Sequence, residues 1–237
     1  TFDDGYKDNL EYAIPVLEKY NIPSTIYIIT RLPQGDTWMW WYEIWEHLNT
    51  VKNLSFNHKN TSFKWNLSTQ RKKLLCFNDL SKMMLNMPTE DCKLLLKKIT
   101  RKLDLKKYTD ICLDWGEIEF LDRHPLITIG AHSHTHPNLN KLSKEDALME
   151  MLSSKILLEE KLKHSVDHFA YPYGTSNEAT LREFEMIIEC GFNSAVTTRL
   201  EKLERPNLSS IPRIGVPPFL SLRGFKGKIS GLERIVR

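Results

Sequence analysis

Short apolar stretches rich in β-branched residues recur along this chain, and the later ones alternate with segments of helical spacing. "IPSTIYIIT", "PLITIGAHS", "HFAYPYG", "FNSAVTT" and "SIPRIGV" read as strands. "IPSTIYIIT" carries so few charges that burial on both faces is predicted, as in a parallel sheet. "SKEDALMEMLSSKILLEEKL" reads as a long helix with Ser143 as N-cap and Asp146 at the third position of a capping box. "SNEATLREFEMIIECG" reads as another, ended by Gly191. Near the start, Leu10, Ala13, Ile14, Leu17 and Tyr20 fall at helical spacing, with Pro15 predicted at a kink or in a first turn. Strands alternating with helices predict an α/β fold, with a parallel sheet or a βα barrel. In such folds the chemistry gathers at the C-terminal ends of the strands.

That rhythm is interrupted between residues 34 and about 122. "DTWMWWYEIWEHL" is aromatic-rich and helically periodic, and "LSFNHKNTSFKWNL" alternates about an Asn/Lys turn and predicts a hairpin. "STQRKKLLCFNDLSKMMLNM" and "PTEDCKLLLKKITRKL" predict amphipathic helices, the first capped by Ser68 and the second opened by Thr89, Glu90 and Asp91. "LDWGEIEFLDRHP" adds a short helix. The expectation is one domain over 1–237 with a mostly helical insertion at about 34–119.

Composition narrows the classes further. The chain has 237 residues, 41% hydrophobic and 27% charged, ordinary values for a globular domain with a substantial core. A net charge of +3 gives no strong electrostatic case for nucleic acid. The tail "RGFKGKISGLERIVR" is locally basic and reads as solvated surface. Cys76, Cys92, Cys112 and Cys190 are widely spaced with no CxxC pair, so buried free thiols are expected in place of a zinc knuckle or a disulfide framework. No apolar run approaches the ~20 residues of a membrane span. The chain starts on a motif and without Met, as a processed or partial chain would. Its compartment, cell envelope or cytoplasm, and its oligomeric state therefore stay open.

Two polar stretches fall where α/β folds place their sites. "TFDDG" puts Asp3 and Asp4 directly after a β-like Thr1 and Phe2, and "HSHTHP" puts His132, His134 and His136 directly after the strand that ends near Ala131. If the loop turns helically, His132 and His136 stand at i and i+4 and can share one metal while His134 points elsewhere; if the strand continues, all three share a face. Pro137 and Asn138 favour the turn. Two imidazoles and one carboxylate leave an open coordination position, as in catalytic zinc sites. The metal would activate a water, and a second carboxylate could take its proton.

These residues resemble the polysaccharide deacetylases with the NodB homology domain, carbohydrate esterase family 4. "TFDDG" matches that family's first motif without a mismatch, "HSHTHP" matches the second, H-[S/T]-x-x-H, and "FAYPYG" is similar to a frequent form of the third. The match spans about 1–33 and 120–217. It implies a distorted (β/α) barrel of about seven strands and a divalent metal, usually zinc, with cobalt or nickel as substitutes. It implies hydrolysis of N-acetyl groups on N-acetylhexosamine units of a polysaccharide or oligosaccharide. Carried over by position, Asp3 is the general base, and Asp4, His132 and His136 are the metal ligands. Pro172 and Tyr173 meet the substrate, and the Tyr173 backbone N–H would stabilise the oxyanion.

Two departures stand beside the match. The third motif is usually R-x-P-Y, its Arg paired with the catalytic Asp; here that position is Ala170, and Arg213 in "SIPRIGV" is the candidate replacement. The last motif, L-x-H, supplies a histidine thought to be the general acid, yet no histidine follows His168. His134 and His168 are possible substitutes, as is Asp3 returning its own proton. These departures keep two alternatives open: an amide hydrolase of the deformylase kind acting on a small or nucleotide-linked sugar, and an inactive carbohydrate-binding homologue. Trp38, Trp40, Trp41 and Trp45 could stack on sugar rings or seat the insertion on the barrel; their helical spacing favours the second for most, as for Trp115.

Overall fold

Charge-poor β-branched runs pair with one another because burial on both faces leaves the backbone no partner except another strand. The computed structural model describes residues 1–35, 39–101, 108–201, 207–217 and 220–230. Its strands are β1 (Ser24–Ile28), β2 (Asn53–His58), β3 (Thr61–Asn66), β4 (Ile127–Ala131), β5 (His168–Ala170) and β6 (Ser194–Val196). Its helices are α1 (Ile14–Tyr20), α2 (Trp40–Thr50), α3 (Gln70–Leu85), α4 (Thr89–Thr100), α5 (Trp115–Asp122), α6 (Lys144–Leu162), α7 (Leu181–Glu189) and α8 (Leu222–Ile229). No helix among the described residues is long and apolar enough to cross a membrane.

The central sheet has the order β1-β4-β5-β6, and every pair in it is parallel. Single parallel bridges extend both edges, Phe2 to Ile26 beside β1 and Ile211 to Val196 beside β6. The described sheet therefore has six strand positions and is α/β as expected, with its two outermost positions unpaired to each other. Ile26, Ile28, Ile129 and Phe169 are buried on it, and α5, α6 and α7 cover it with Leu121, Met151, Leu158 and Ile187. "SIPRIGV" contributes the one bridge at Ile211 and no ladder of its own.

The insertion has a separate core. Ile44 and Leu48 of α2 meet Leu80 of α3 and Leu96 of α4, and the hairpin β2-β3 closes them with stacked Phe56 and Phe63. The hairpin turns at Lys59 and Asn60, with Lys59 at φ 50°. Trp40 belongs to this core, Trp41 and Trp45 are half-buried, and Trp115 packs beside the sheet core. Trp38 and residues 102–103 of the predicted fourth helix lie outside the described residues.

Several boundaries differ from the sequence reading. The cap of α3 is Thr69, whose side chain accepts from the Lys72 N–H, because Ser68 lies one residue too early to reach it. Pro88 precedes α4 as its N-cap residue, leaving Thr89 inside the helix. Helix α7 starts only at Leu181, after Thr180 and Glu183 form a capping box that stops it reaching back to Ser176. Asn9–Ala13 form a π-helical turn, and Pro15 sits in the first turn of α1, where its missing N–H costs nothing. Ser143 caps α6 as expected. All four cysteines are free and buried.

Gly130 shows how tightly the sheet is packed under the histidines. A Cβ there would stand 2.5 Å from the Tyr27 ring and 3.0 Å from the His168 carbonyl. Gly130→Ala is expected to destabilise the protein by about 1–3 kcal/mol, read as a lowered midpoint in denaturant unfolding; an unchanged midpoint would show that the sheet can yield there.

Candidate active site

The residues expected to hold the metal, act as base and meet the substrate lie past the C-terminal ends of strand positions. Asp3 and Asp4 follow the Phe2 bridge, His132 follows β4, Pro172 and Tyr173 follow β5, and Arg213 follows the Ile211 bridge. Parallel neighbours bring these ends to one mouth.

Two of the groups form a bidentate ion pair. Arg213 donates from Nη1 to Asp3 Oδ1 at 2.6 Å and from Nη2 to Asp3 Oδ2 at 2.7 Å. Its Nε donates to the Thr197 carbonyl at 3.1 Å, and its guanidinium lies over the Tyr27 ring at 5.6 Å. Ala170, which stands where an arginine was expected, has a different task. Its carbonyl accepts from His132 Nδ1 at 2.7 Å, which turns His132 Nε2 to Asp4.

Asp4, His132 and His136 form the one cluster among the described residues whose donor atoms could share a metal ion. Asp4 Oδ1 is 3.4 Å from His132 Nε2 and 3.6 Å from His136 Nε2. Ligands held about 2.1 Å from one tetrahedral ion stand roughly 3.4 Å apart, so the separations fit. The charges fit as well. Burial lowers the proton affinity of His136 to about 4, so it is a neutral donor near pH 7. Burial pushes His132 the same way, but the charges of Asp3 and Asp4 outweigh it and hold its pKa up. For Asp3, burial raises the pKa, and His132 and then Arg213 bring it below the usual carboxylate range. Asp4 is brought down against burial by its two histidines. Two ionised carboxylates beside a neutral His136, with a His132 whose proton a metal would displace, suit a cation.

The histidines do not meet through a helical turn. The loop bends instead, with Ser133 and His136 both at φ 61°. Ser133 Oγ accepts from the His136 N–H at 3.0 Å, closing the loop on itself. His134 turns away and places Nδ1 2.8 Å from Thr30 Oγ1. His168 begins β5, at the end opposite the mouth, where its Nδ1 lies 2.9 Å from Ser194 Oγ. Neither lines the cleft over Asp3 and Asp4.

Three neighbours of the site were not singled out in the sequence. Glu150 of α6 accepts from the N–H groups of His134 and Thr135 at 3.0 and 2.8 Å and from the Thr135 hydroxyl at 2.7 Å. Its one signal was a lone carboxylate inside an amphipathic helix. Thr198 donates its hydroxyl to the Tyr173 carbonyl at 2.7 Å. Tyr6 accepts from Trp41 Nε1 at 3.0 Å. Tyr173 itself is at φ 63°, and its ring centroid is 4.6 Å from that of His136.

Comparison with known proteins agrees with this geometry. A chain of Streptococcus pyogenes deacetylase PplD in complex with acetate superposes with a TM-score of 0.56 at 16% identity, over 96% of this chain and 67% of that one. A polysaccharide deacetylase from Bacillus cereus gives 0.54 at 17%, over 96% of this chain and 49% of that one. At such identities the likeness concerns the fold. A Bacillus subtilis (strain 168) protein named "Putative polysaccharide deacetylase YxkH" is 23% identical over 98% of this chain, which spans 56% of that relative's length. The family model "Polysaccharide deacetylase" matches residues 1–90 and 88–187. With most of its length and its whole histidine loop inside that match, this chain belongs to the polysaccharide deacetylase family.

Proposed function

We propose that this protein is a metal-dependent hydrolase that removes N-acetyl groups from N-acetylhexosamine units of a polysaccharide or oligosaccharide. The observation that carries the reading is the convergence of Asp3, paired with Arg213, on the Asp4–His132–His136 triangle at one barrel mouth. Asp4, His132 and His136 would hold a divalent ion such as zinc, cobalt or nickel. When bound, that ion supplies Lewis acidity to the acetamide carbonyl and to the attacking water.

The chain's own residues do the rest. Asp3 takes a proton from the water as it attacks. Both Asp3 oxygens already accept from Arg213, and each keeps a further lone pair for this task. Arg213 keeps the carboxylate ionised and fixes its plane. The Tyr173 N–H, which meets no acceptor among the described residues, donates to the oxygen that becomes negative. Breaking the C–N bond needs a proton on the leaving amine. With His134 bonded to Thr30 and His168 at the far end of β5, Asp3 returns the proton it took. The Arg213 pairing also removes one of the two reasons for reading the chain as an inactive homologue.

The test is acetate release from a panel of N-acetylated glycans, with metal content read alongside. Asp3→Asn is expected to lower turnover at least about a hundredfold while metal stays bound, and His132→Ala to lose both. Full activity in Asp3→Asn would remove Asp3 as the base, and a wild type that binds no divalent ion would remove the mechanism. Glu150→Ala, which strips three hydrogen bonds from the loop between the two histidines, is expected to weaken metal binding about tenfold. Glu150→Gln retains one acceptor oxygen for the two N–H groups of the loop and should restore most of that affinity. Equal affinity in Glu150→Ala and the wild type, by competition with a chelator, would show that the loop holds its shape without Glu150.

A further inference from the structure

The cleft over Asp3 and Asp4 encloses about 440 Å3 and has two walls of different origin. The barrel supplies the histidines, Tyr173 and Thr198; the insertion supplies Trp40 and Trp41 from α2, and Phe77, Ser81 and Leu85 from α3. Phe77, Ser81 and Leu85 are spaced four apart, so they stand on one face of α3. The Phe77 ring is backed edge-on by Trp45, with centroids 5.7 Å apart and planes at 83°.

The insertion wall is fixed to the catalytic loops. Asn138, two residues past His136, donates to the Leu85 carbonyl at 2.7 Å. Trp40 Nε1 donates to the Tyr173 hydroxyl at 3.3 Å, and the Trp41 ring lies 5.5 Å from the His136 ring. A wall tied at three points to the reacting centre sets how far a ligand's neighbouring groups stand from the acetamide.

Its chemistry is one-sided. Among the described residues that line the cleft there is no lysine or arginine, and its carboxylates and imidazoles are those of Asp3, Asp4, His132 and His136. The remainder are rings, Leu85 and the hydroxyls of Ser81 and Thr198. A pyranose ring suits such a wall, since its C–H face can pack on aromatic faces while its hydroxyls find Ser81, Thr198 or water. A carboxylate or phosphate on the next sugar would be desolvated against the rings and Leu85 of the insertion wall, which offers it no lysine or arginine, while Arg213 is held by Asp3.

Resting on the deacetylase reading, we infer that the insertion forms a sugar subsite in which Trp41 and Phe77 pack on the rings flanking the reacting acetamide, and that this subsite selects an uncharged N-acetylhexosaminide over an acidic one. The experiment is titration calorimetry of the purified protein with two tetrasaccharides, chitin-derived tetra-N-acetylchitotetraose and a hyaluronan fragment in which N-acetylglucosamine alternates with glucuronate. The neutral ligand should bind at least about tenfold more tightly than the acidic one, and Phe77→Ala should weaken it about tenfold.

Ser81→Asp places a charge on the half-exposed face of the same helix, spares the packing behind Phe77, and should weaken the neutral ligand similarly. Unfolding midpoints of both variants identify any loss that comes from misfolding, and the Ser81→Asp titration then decides. Equal affinity for the two ligands, affinities within twofold in both variants, or no binding of the neutral ligand by the wild type would each overturn the subsite. Acetate release followed in parallel separates the two readings. Turnover indifferent to both variants keeps the deacetylase and removes the subsite, whereas variant-sensitive binding without acetate release keeps the subsite and removes the deacetylase.

Discussion

The bidentate pair between Arg213 and Asp3 joins the two ends of the sheet. Phe2 occupies the position beyond β1, and Ile211 the position beyond β6. They lie at opposite edges of six parallel positions, and no backbone ladder links them. One residue past the first and two past the second, side chains meet at 2.6 and 2.7 Å. Two edges of one sheet can come this close only if the sheet curls through most of a barrel. A further bond, from Arg213 Nη1 to Thr1 Oγ1 at 3.1 Å, spans the same gap. The pair is only partly exposed, so removing one partner would leave a poorly solvated charge, at a cost on the order of 3 kcal/mol. Closure of the fold and orientation of the proposed base are therefore one interaction.

The same site concentrates the backbone's unfavourable conformations. Among the described residues, eight that are not glycine have positive φ. Asn21, Arg101 and Lys163 end helices, and Lys59 turns the hairpin, places where the left-handed region is routine. Asp4, Ser133, His136 and Tyr173 do none of these things, and all four lie at the mouth. Each costs about 1 kcal/mol or more, and each has a visible restraint. Gly5 follows Asp4 at φ 82° in a spot where a Cβ would meet Ile28. Ser133 Oγ and Glu150 hold the histidine loop, and Thr198 holds Tyr173. The bends turn consecutive side chains in different directions, so His136 joins His132 while His134 turns to Thr30.

The strands, the order of elements and the residues at the strand ends were legible because each depends on local pattern. Ile26 and Ile129 announce buried strands, and Asp3, Asp4, His132 and His136 stand beside them in sequence. Arg213 was legible as a candidate from its place after a late strand, although its strand proved to be one bridge. What local pattern could not show is contact made across the chain. Glu150 lies 14 residues past His136 and looks like any solvated helical carboxylate until α6 is laid against the loop. The i, i+4 reading named the pair that comes together, His132 and His136, but not the backbone that joins them, for a related reason. Helical spacing is a default for isolated segments, and here the hydrogen bonds of Glu150 and Ser133 impose bends that the segment alone would not choose. Helical spacing favoured the core for most of the tryptophans, and Trp40 and Trp41 pack in or on that core while also lining the cleft.

That double role follows from where the insertion leaves the barrel. It departs after the C-terminal end of β1 and returns through α5 into β4, whose C-terminal end carries His132. A segment emerging on that face must lie over or beside the mouth, because the opposite face of the barrel is reached only by the connections that enter the strands. Its core then has to be seated on the only surface available, the loops that hold the site. Tyr173 packs against that core, and Trp41 packs against both the insertion core and Tyr6. Ring-rich packing is an economical solution for such a seam, since an aromatic can bury one edge in a core and leave a face to a ligand. The residues that anchor the insertion are thus already at the cleft, and a change in insertion sequence alters cleft shape without touching Asp3, Asp4 or the histidines. In a fold whose reacting groups are fixed by strand ends, this is where ligand preference has room to vary.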